Sequence, residues 1–88
     1  VRKYLTAGLT SYLTGQTRIA FFPRAGQTAA IRSFLPHGSV AELHVRGKAE
    51  RLIDLRSGDT VLPNRTEHGE TIFRLALNPA SLTLVRWE

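Results

Sequence analysis

Cysteine and methionine are both absent from the 88-residue sequence. Without cysteine the chain has neither a disulfide framework nor a thiolate metal site, the two usual supports of a small core. Without methionine, and with Val1 at its start, we expect a processed or excised piece, the C-terminal part of a larger protein. Long apolar runs are also missing, since no stretch approaches the roughly 18 residues of a membrane span. We therefore expect a soluble chain, cytoplasmic or secreted, with no membrane partner.

Acidic residues are scarce as well, with seven Asp and Glu against twelve Lys and Arg. The net charge of +5 raises the question of a polyanionic partner such as nucleic acid. The arginines are dispersed and form no basic stripe, however, so we do not expect nucleic acid as the main partner. With 42% hydrophobic and 22% charged residues the composition is typical of a folded protein, and the length suits one domain over residues 1–88.

Glycines recur along the chain at intervals of seven to twelve residues. The segments between them are rich in Thr, Val, Ile, Leu and Phe, which is the pattern of short strands joined by turns. We therefore expect an all-β fold, an antiparallel β-sandwich of seven or eight short strands. The candidate strands are Leu9–Leu13, Thr17–Phe22, Thr28–Leu35, Val40–Val45, Arg51–Leu55, Thr60–Leu62, Thr71–Leu77 and Leu82–Trp87.

Apolar and polar residues alternate most clearly in Val40–Val45 and Thr71–Leu77, which indicates strands with one buried face. Ile19–Phe22 and Leu82–Trp87 instead carry apolar residues on both faces, and such strands need cover on both sides. An exposed apolar face of this kind indicates a docking surface. The predicted core consists of Ile19, Phe21, Ile31, Leu43, Val45, Ile53, Leu55, Phe73, Leu75, Leu77, Leu82 and Leu84.

The second half of the chain carries a family resemblance. The run Ala49–Asp59, with Asp54 ahead of Gly58, resembles a hairpin in the C-terminal β-sandwich domains of carbohydrate-active enzymes, notably glycoside hydrolases built around a (β/α)8 barrel. In those domains a short polar stretch and a closing strand follow, to which Gly69–Val85 with its Pro79 is similar. The resemblance covers about half of the chain.

The resemblance implies a role without chemistry of its own. It predicts a non-catalytic accessory domain that packs against, and stabilises or orients, the catalytic domain of the same parent protein. No catalytic residue is carried over, because the acid and nucleophile of such enzymes lie on the barrel. The alternative from another class is a stand-alone binding module for carbohydrate, with single-stranded nucleic acid as the weaker choice.

Catalytic and metal-binding patterns are not found in the sequence. Glycosidic chemistry needs two carboxylates held roughly 5–9.5 Å apart in a cleft, whereas nearly all the Asp and Glu residues here stand beside predicted turns. There is no nucleophile elbow and no phosphate-binding loop. Glu42 and His44 share a strand face, but two ligands do not make a metal site, and His37 and His68 fall in turns. We therefore assign no catalytic residue, no metal ligand and no cofactor.

Carbohydrate binding needs exposed aromatic rings on which sugar faces can stack. The candidates are Tyr4, Tyr12 and Trp87, although a tryptophan on a closing strand is also typical of a core. For nucleic acid the matching segment is Arg18–Arg24, which combines aromatic and basic residues. Asn64 begins an N-glycosylation pattern, which has meaning only in a secreted eukaryotic protein.

Overall fold

The computed structural model describes residues 11–15, 18–24 and 26–88. Within these ranges the chain contains nine strands. No helix in the described part of the chain has the length and apolar character needed to cross a lipid bilayer. The strands are β1 Ser11–Thr14, β2 Ile19–Arg24, β3 Thr28–Ser33, β4 Ser39–Arg46, β5 Leu52–Asp54, β6 Thr60–Val61, β7 Arg65–Glu67, β8 Glu70–Leu77 and β9 Leu82–Trp87.

The strands form two antiparallel sheets. Sheet A has the order β1-β4-β8-β7, and sheet B has the order β2-β3-β9-β5-β6. Hairpins within one sheet join β2 to β3, β5 to β6 and β7 to β8, while the other connections cross between the sheets. The expected all-β antiparallel sandwich is confirmed.

The core lies between the inner faces of the two sheets. Strands β4 and β8 pair over eight residues each at the centre of sheet A, and their inward positions carry the alternation expected from sequence. Six predicted core residues are buried, and Ile19 and Phe21 pack against them while partly exposed. The buried cluster is Ala29, Ile31, Ala41, Leu43, Val45, Ala49, Leu52, Phe73, Leu75, Leu77, Val85 and Trp87.

The other four predicted core residues, on or directly after β5 and β9, lie outside the core. The inward positions of these strands belong instead to Leu52, Val85 and Trp87, which are 1%, 1% and 3% exposed. Both faces of these strands are apolar, and because side chains alternate with a period of two, choosing the wrong face misplaces every residue of the strand. The four are Ile53 and Leu84, which are partly buried, and Leu55 and Leu82, which are exposed.

The eight expected strands omit β7, whose three residues are polar and exposed. Such a strand has no apolar alternation to reveal it. It exists because His68 and Gly69, with φ of 53° and 76°, form a two-residue turn between the paired residues Glu67 and Glu70. Positive φ at both central positions is the type I′ geometry that matches the twist of a hairpin.

The β5–β6 hairpin forms where the sequence motif predicts a turn. The Asp54 carboxylate accepts hydrogen bonds from the backbone N–H groups of Arg56 at 2.9 Å and Ser57 at 3.2 Å. Gly58 then takes a φ of 82°, which a residue with a side chain rarely adopts. The aspartate therefore organises the turn.

Candidate functional site

The outer face of sheet B carries a continuous line of apolar side chains. Cross-strand pairing places Phe22 opposite Ala30, and Ala30 opposite Leu84. Leu55 follows β5, and its backbone N–H donates to the Leu84 carbonyl at 2.8 Å, which continues the β5–β9 ladder. We call these four residues from four adjacent strands the apolar row.

The two ends of the apolar row are open to solvent. Phe22 is 53% exposed and Leu55 is 47% exposed, whereas between them Ala30 is buried and Leu84 is partly buried. Because adjacent strands are about 4.8 Å apart, the row is about 14 Å long. Isolated exposed apolar residues are ordinary on a protein surface, but a contiguous set indicates an interaction site.

Arginines lie on both sides of the apolar row. On one side the next outward positions are Arg24, Thr28 and Arg86, and on the other side they are Ala20, Arg32 and Leu82. All three arginines are exposed. The arrangement of an apolar centre with a polar rim is the usual anatomy of a protein interface, where arginine is enriched.

This face has a positive charge. The only acidic residue in the strands of sheet B is Asp54, at the end of β5, and one oxygen of its carboxylate accepts backbone hydrogen bonds in the turn that follows. Arg86 is 3.8 Å from Glu88. Within the described ranges, Arg24 and Arg32 form no ion pair, so their charge is available to a partner.

A polar cleft of about 650 Å³ borders this face at the start of β9. Its polar lining residues are Arg32, Asp54, Arg56, Ser57, Asn78, Ser81 and Thr83. The Nη1 group of Arg56 also donates to the Leu82 carbonyl at 3.1 Å, which holds that guanidinium against β9.

The outer face of sheet A is different, because several of its charged side chains pair with one another. The guanidinium of Arg65 donates to both carboxylate oxygens of Glu42, at 2.8 and 3.1 Å. This hydrogen bonding is the main cause that lowers the pKa of Glu42. Arg65 also lies 3.4 Å from Glu67 on the same strand, β7. One arginine therefore pairs with a carboxylate of β4 and with a carboxylate of its own strand.

A partly buried hydrogen-bond network joins three strands of sheet A. One oxygen of Glu70 accepts from the Tyr12 hydroxyl at 3.0 Å and lies 3.1 Å from Nδ1 of His44. Nε2 of His44 lies 3.3 Å from the Thr14 hydroxyl, and the Tyr12 and His44 rings stack at 4.4 Å. Burial, and secondly the bond to Glu70, raises the pKa of Tyr12 to about 12. Polar networks with satisfied members rigidify a fold.

The aromatic candidates for sugar binding lie apart from each other. Tyr12 is 8% exposed and stacks on His44, while Trp87 is 3% exposed and belongs to the core. Neither ring therefore presents a free face to a sugar. Tyr4 lies outside the described residues.

The segment predicted for nucleic acid divides between the two faces of β2. Phe21 packs on the core, and Phe22 points outward beside Arg24. Arg18 is exposed before the strand begins. Besides Phe22, the exposed aromatic ring here is that of Phe34, after β3, and the Arg32 guanidinium already lies 5.6 Å from its centre. Single-strand binding needs several free stacking rings.

Among residues 11–15, 18–24 and 26–88, no group of three or more His, Asp and Glu side chains could hold a metal ion. His37 and His68 are exposed at turns, and His44 is bound within the network of sheet A. Asn64 is exposed directly before β7.

The apolar row was only partly visible in the sequence. Apolar residues on both faces of the β2 and β9 segments were a usable signal for Phe22 and Leu84. Ala30 and Leu55 could be added only from the cross-strand register. Comparison of the chain with protein-family models, with curated proteins and with solved structures finds no match.

Proposed function

We propose that the protein is a non-catalytic accessory domain that packs against the catalytic domain of a larger glycoside-hydrolase-like enzyme through the outer face of sheet B. The supporting observation is the apolar row with its arginine border. The class of enzyme rests only on the resemblance of Ala49–Asp59 and Gly69–Val85, whereas the docking role rests on the exposed face.

The apolar row can supply part of the docking energy. Fully burying a Phe or Leu side chain is worth about 1.5–3 kcal/mol relative to leaving it exposed. Phe22 and Leu55 are each about half exposed, so covering them contributes about 1 kcal/mol apiece. Leu82, at 38% exposure, extends the same surface toward the cleft.

A protein surface fits this face better than a sugar or a nucleic acid. Sugars and bases stack on aromatic rings, but three of the four residues in the apolar row are aliphatic. Aliphatic side chains gain most from close packing against other apolar side chains. The surrounding guanidiniums favour a partner surface with carboxylates at its border.

Hydroxyl-radical footprinting tests the proposal at the level of side chains. Intact mass spectrometry of the native polypeptide first identifies the parent, and the 88-residue chain is then compared with it. We expect Phe22, Leu55 and Leu82 to lose most of their reactivity in the parent. Val40 is the matched control, because it is 43% exposed on the outer face of sheet A and should react equally in both.

Unchanged reactivity of Phe22 and Leu55 in the parent would contradict the docking role. A native polypeptide that contains no second domain would contradict it as well. Titration of the chain with oligosaccharides and with single-stranded DNA would then test the binding-module alternative, with strong salt dependence expected only for the nucleic acid.

A further inference from the structure

We infer that the cleft between Arg32 and Arg56 is a carboxylate-binding site, which receives an acidic side chain of the domain docked on sheet B. The inference rests on the proposed function and adds the chemistry of the partner. It is carried by the placement of two guanidiniums in one cleft at the border of the apolar surface.

The two guanidiniums reach the start of β9 from different elements. Arg32 on β3 is the cross-strand partner of Leu82. Arg56, in the turn after β5, donates from Nη1 to the carbonyl of that same leucine at 3.1 Å. Both residues line the cleft together with Leu82, which lies two positions before Leu84 of the apolar row.

Both guanidiniums are positioned before any ligand arrives. The bond to Leu82 holds Arg56, and the guanidinium of Arg32 lies 5.6 Å from the centre of the Phe34 ring. A guanidinium has five N–H donors in a planar fork that matches a carboxylate. Neither arginine forms an ion pair with any residue that the structure describes, so donors remain for a ligand.

The charge of the cleft suits a ligand with one negative charge. Asp54 also lines the cleft, and one oxygen of its carboxylate is occupied by the backbone N–H groups of Arg56 and Ser57. Two guanidiniums and one carboxylate give +2 − 1 = +1, which a single carboxylate neutralises. Asn78 and Ser81 also line the cleft, and the Ser81 hydroxyl donates to the Asn78 carbonyl at 2.7 Å.

A partner side chain, rather than a free acid, is the occupant that the position favours. The cleft opens beside Leu82, which is itself part of the exposed surface to be covered. A domain lying on the apolar row would therefore border the cleft and could extend an Asp or Glu into it. Charge-assisted pairing at the edge of an apolar contact would orient the partner.

The test on the 88-residue chain is an NMR titration with sodium glutarate at constant ionic strength. We expect saturable shifts of the Arg32 and Arg56 Nε–Hε signals. Arg32→Gln and Arg56→Gln should each weaken glutarate binding about tenfold, the value of one charge-assisted hydrogen bond. Arg24→Gln is the matched control, because Arg24 lies on the same face outside the cleft. The affinity of this variant for glutarate should be unchanged.

Equal shifts of the Arg24, Arg32 and Arg56 signals would mean that glutarate interacts with exposed arginines in general and not with the cleft. That result would overturn the inference. The same titration on the parent polypeptide separates this inference from the proposed function. If an acidic side chain of the partner domain fills the cleft, the Arg32 and Arg56 signals of the parent polypeptide should not shift when glutarate is added. A parent that protects Phe22 but still binds glutarate at these arginines overturns the inference alone, whereas a parent that leaves Phe22 reactive overturns the proposed function.

Discussion

Leu52 and Leu55 are three positions apart in one hairpin and lie on opposite sides of sheet B. Leu52 is 1% exposed and Leu55 is 47% exposed. Leu52→Ala should lower the free energy of unfolding by about 2–5 kcal/mol, because it leaves a cavity in the core. Leu55→Ala should change it by no more than about 0.5 kcal/mol, since it lies on the surface. Urea denaturation followed by Trp87 fluorescence measures both.

The comparison is well matched because the residue type and the hairpin are the same. If Leu52→Ala fails to fold, Leu52→Val provides a smaller loss, measured in the same way. Equal losses at the two positions would show that Leu55 also contributes to a core.

A second prediction at the residue scale concerns alkaline pH. Burial, aided by the bond to Glu70, raises the pKa of Tyr12 from 10.0 to about 12. Between these values the unfolded chain loses the phenolic proton while the folded chain keeps it. The stability contributed by Tyr12 is therefore complete below pH about 10 and is lost as the pH rises toward about 12. The free energy of unfolding, measured by denaturation at several pH values across this window, should fall less steeply for Tyr12→Phe than for the unsubstituted chain. An equal slope for the two proteins would contradict the assignment.

At the scale of elements, the β7–β8 hairpin depends on its turn. Gly69 has a φ of 76°, and an added Cβ there would meet no atom within 4 Å. Any cost of Gly69→Ala must therefore come from the backbone conformation and not from a clash. We expect a loss of about 1–2 kcal/mol in the free energy of unfolding, from the left-handed conformation alone.

Gly38→Ala is the control for the hairpin prediction. Gly38 has no positive φ, and a Cβ there would make ordinary contact with the Leu77 carbonyl at 3.8 Å. We expect a change within about 0.5 kcal/mol. Equal effects of the two substitutions in thermal unfolding would show that the turn conformation does not limit stability.

At the scale of the whole molecule, the sandwich has two unlike outer faces. Charges on sheet A are paired across strands, whereas sheet B presents the apolar row and its arginines. Phe22→Ser with Leu55→Ser should therefore reduce the binding of an apolar fluorescent dye to the folded chain, because it removes the two most exposed members of the row. Val40→Ser, on the other face, should leave dye binding nearly unchanged, and equal reductions would contradict a single apolar face.

Much of the fold was predictable from local sequence. Regular glycines indicated short strands, and the alternation in β4 and β8 identified their buried faces, because a strand with one polar face can be oriented in only one way. Strand β7 was not predictable, since its three residues are all polar and exposed. It is a strand only because the His68–Gly69 turn brings it beside β8.

The sequence by itself determined the all-β class and the inward faces of the strands that alternate. Only the tertiary structure decided which face of β5 and β9 points inward, because both faces of each strand carry large apolar side chains. The tertiary structure alone also brings the residues of the candidate site together. Phe22, Ala30, Leu55 and Leu84 are far apart in the chain, and they become neighbours only through the pairing register of four strands.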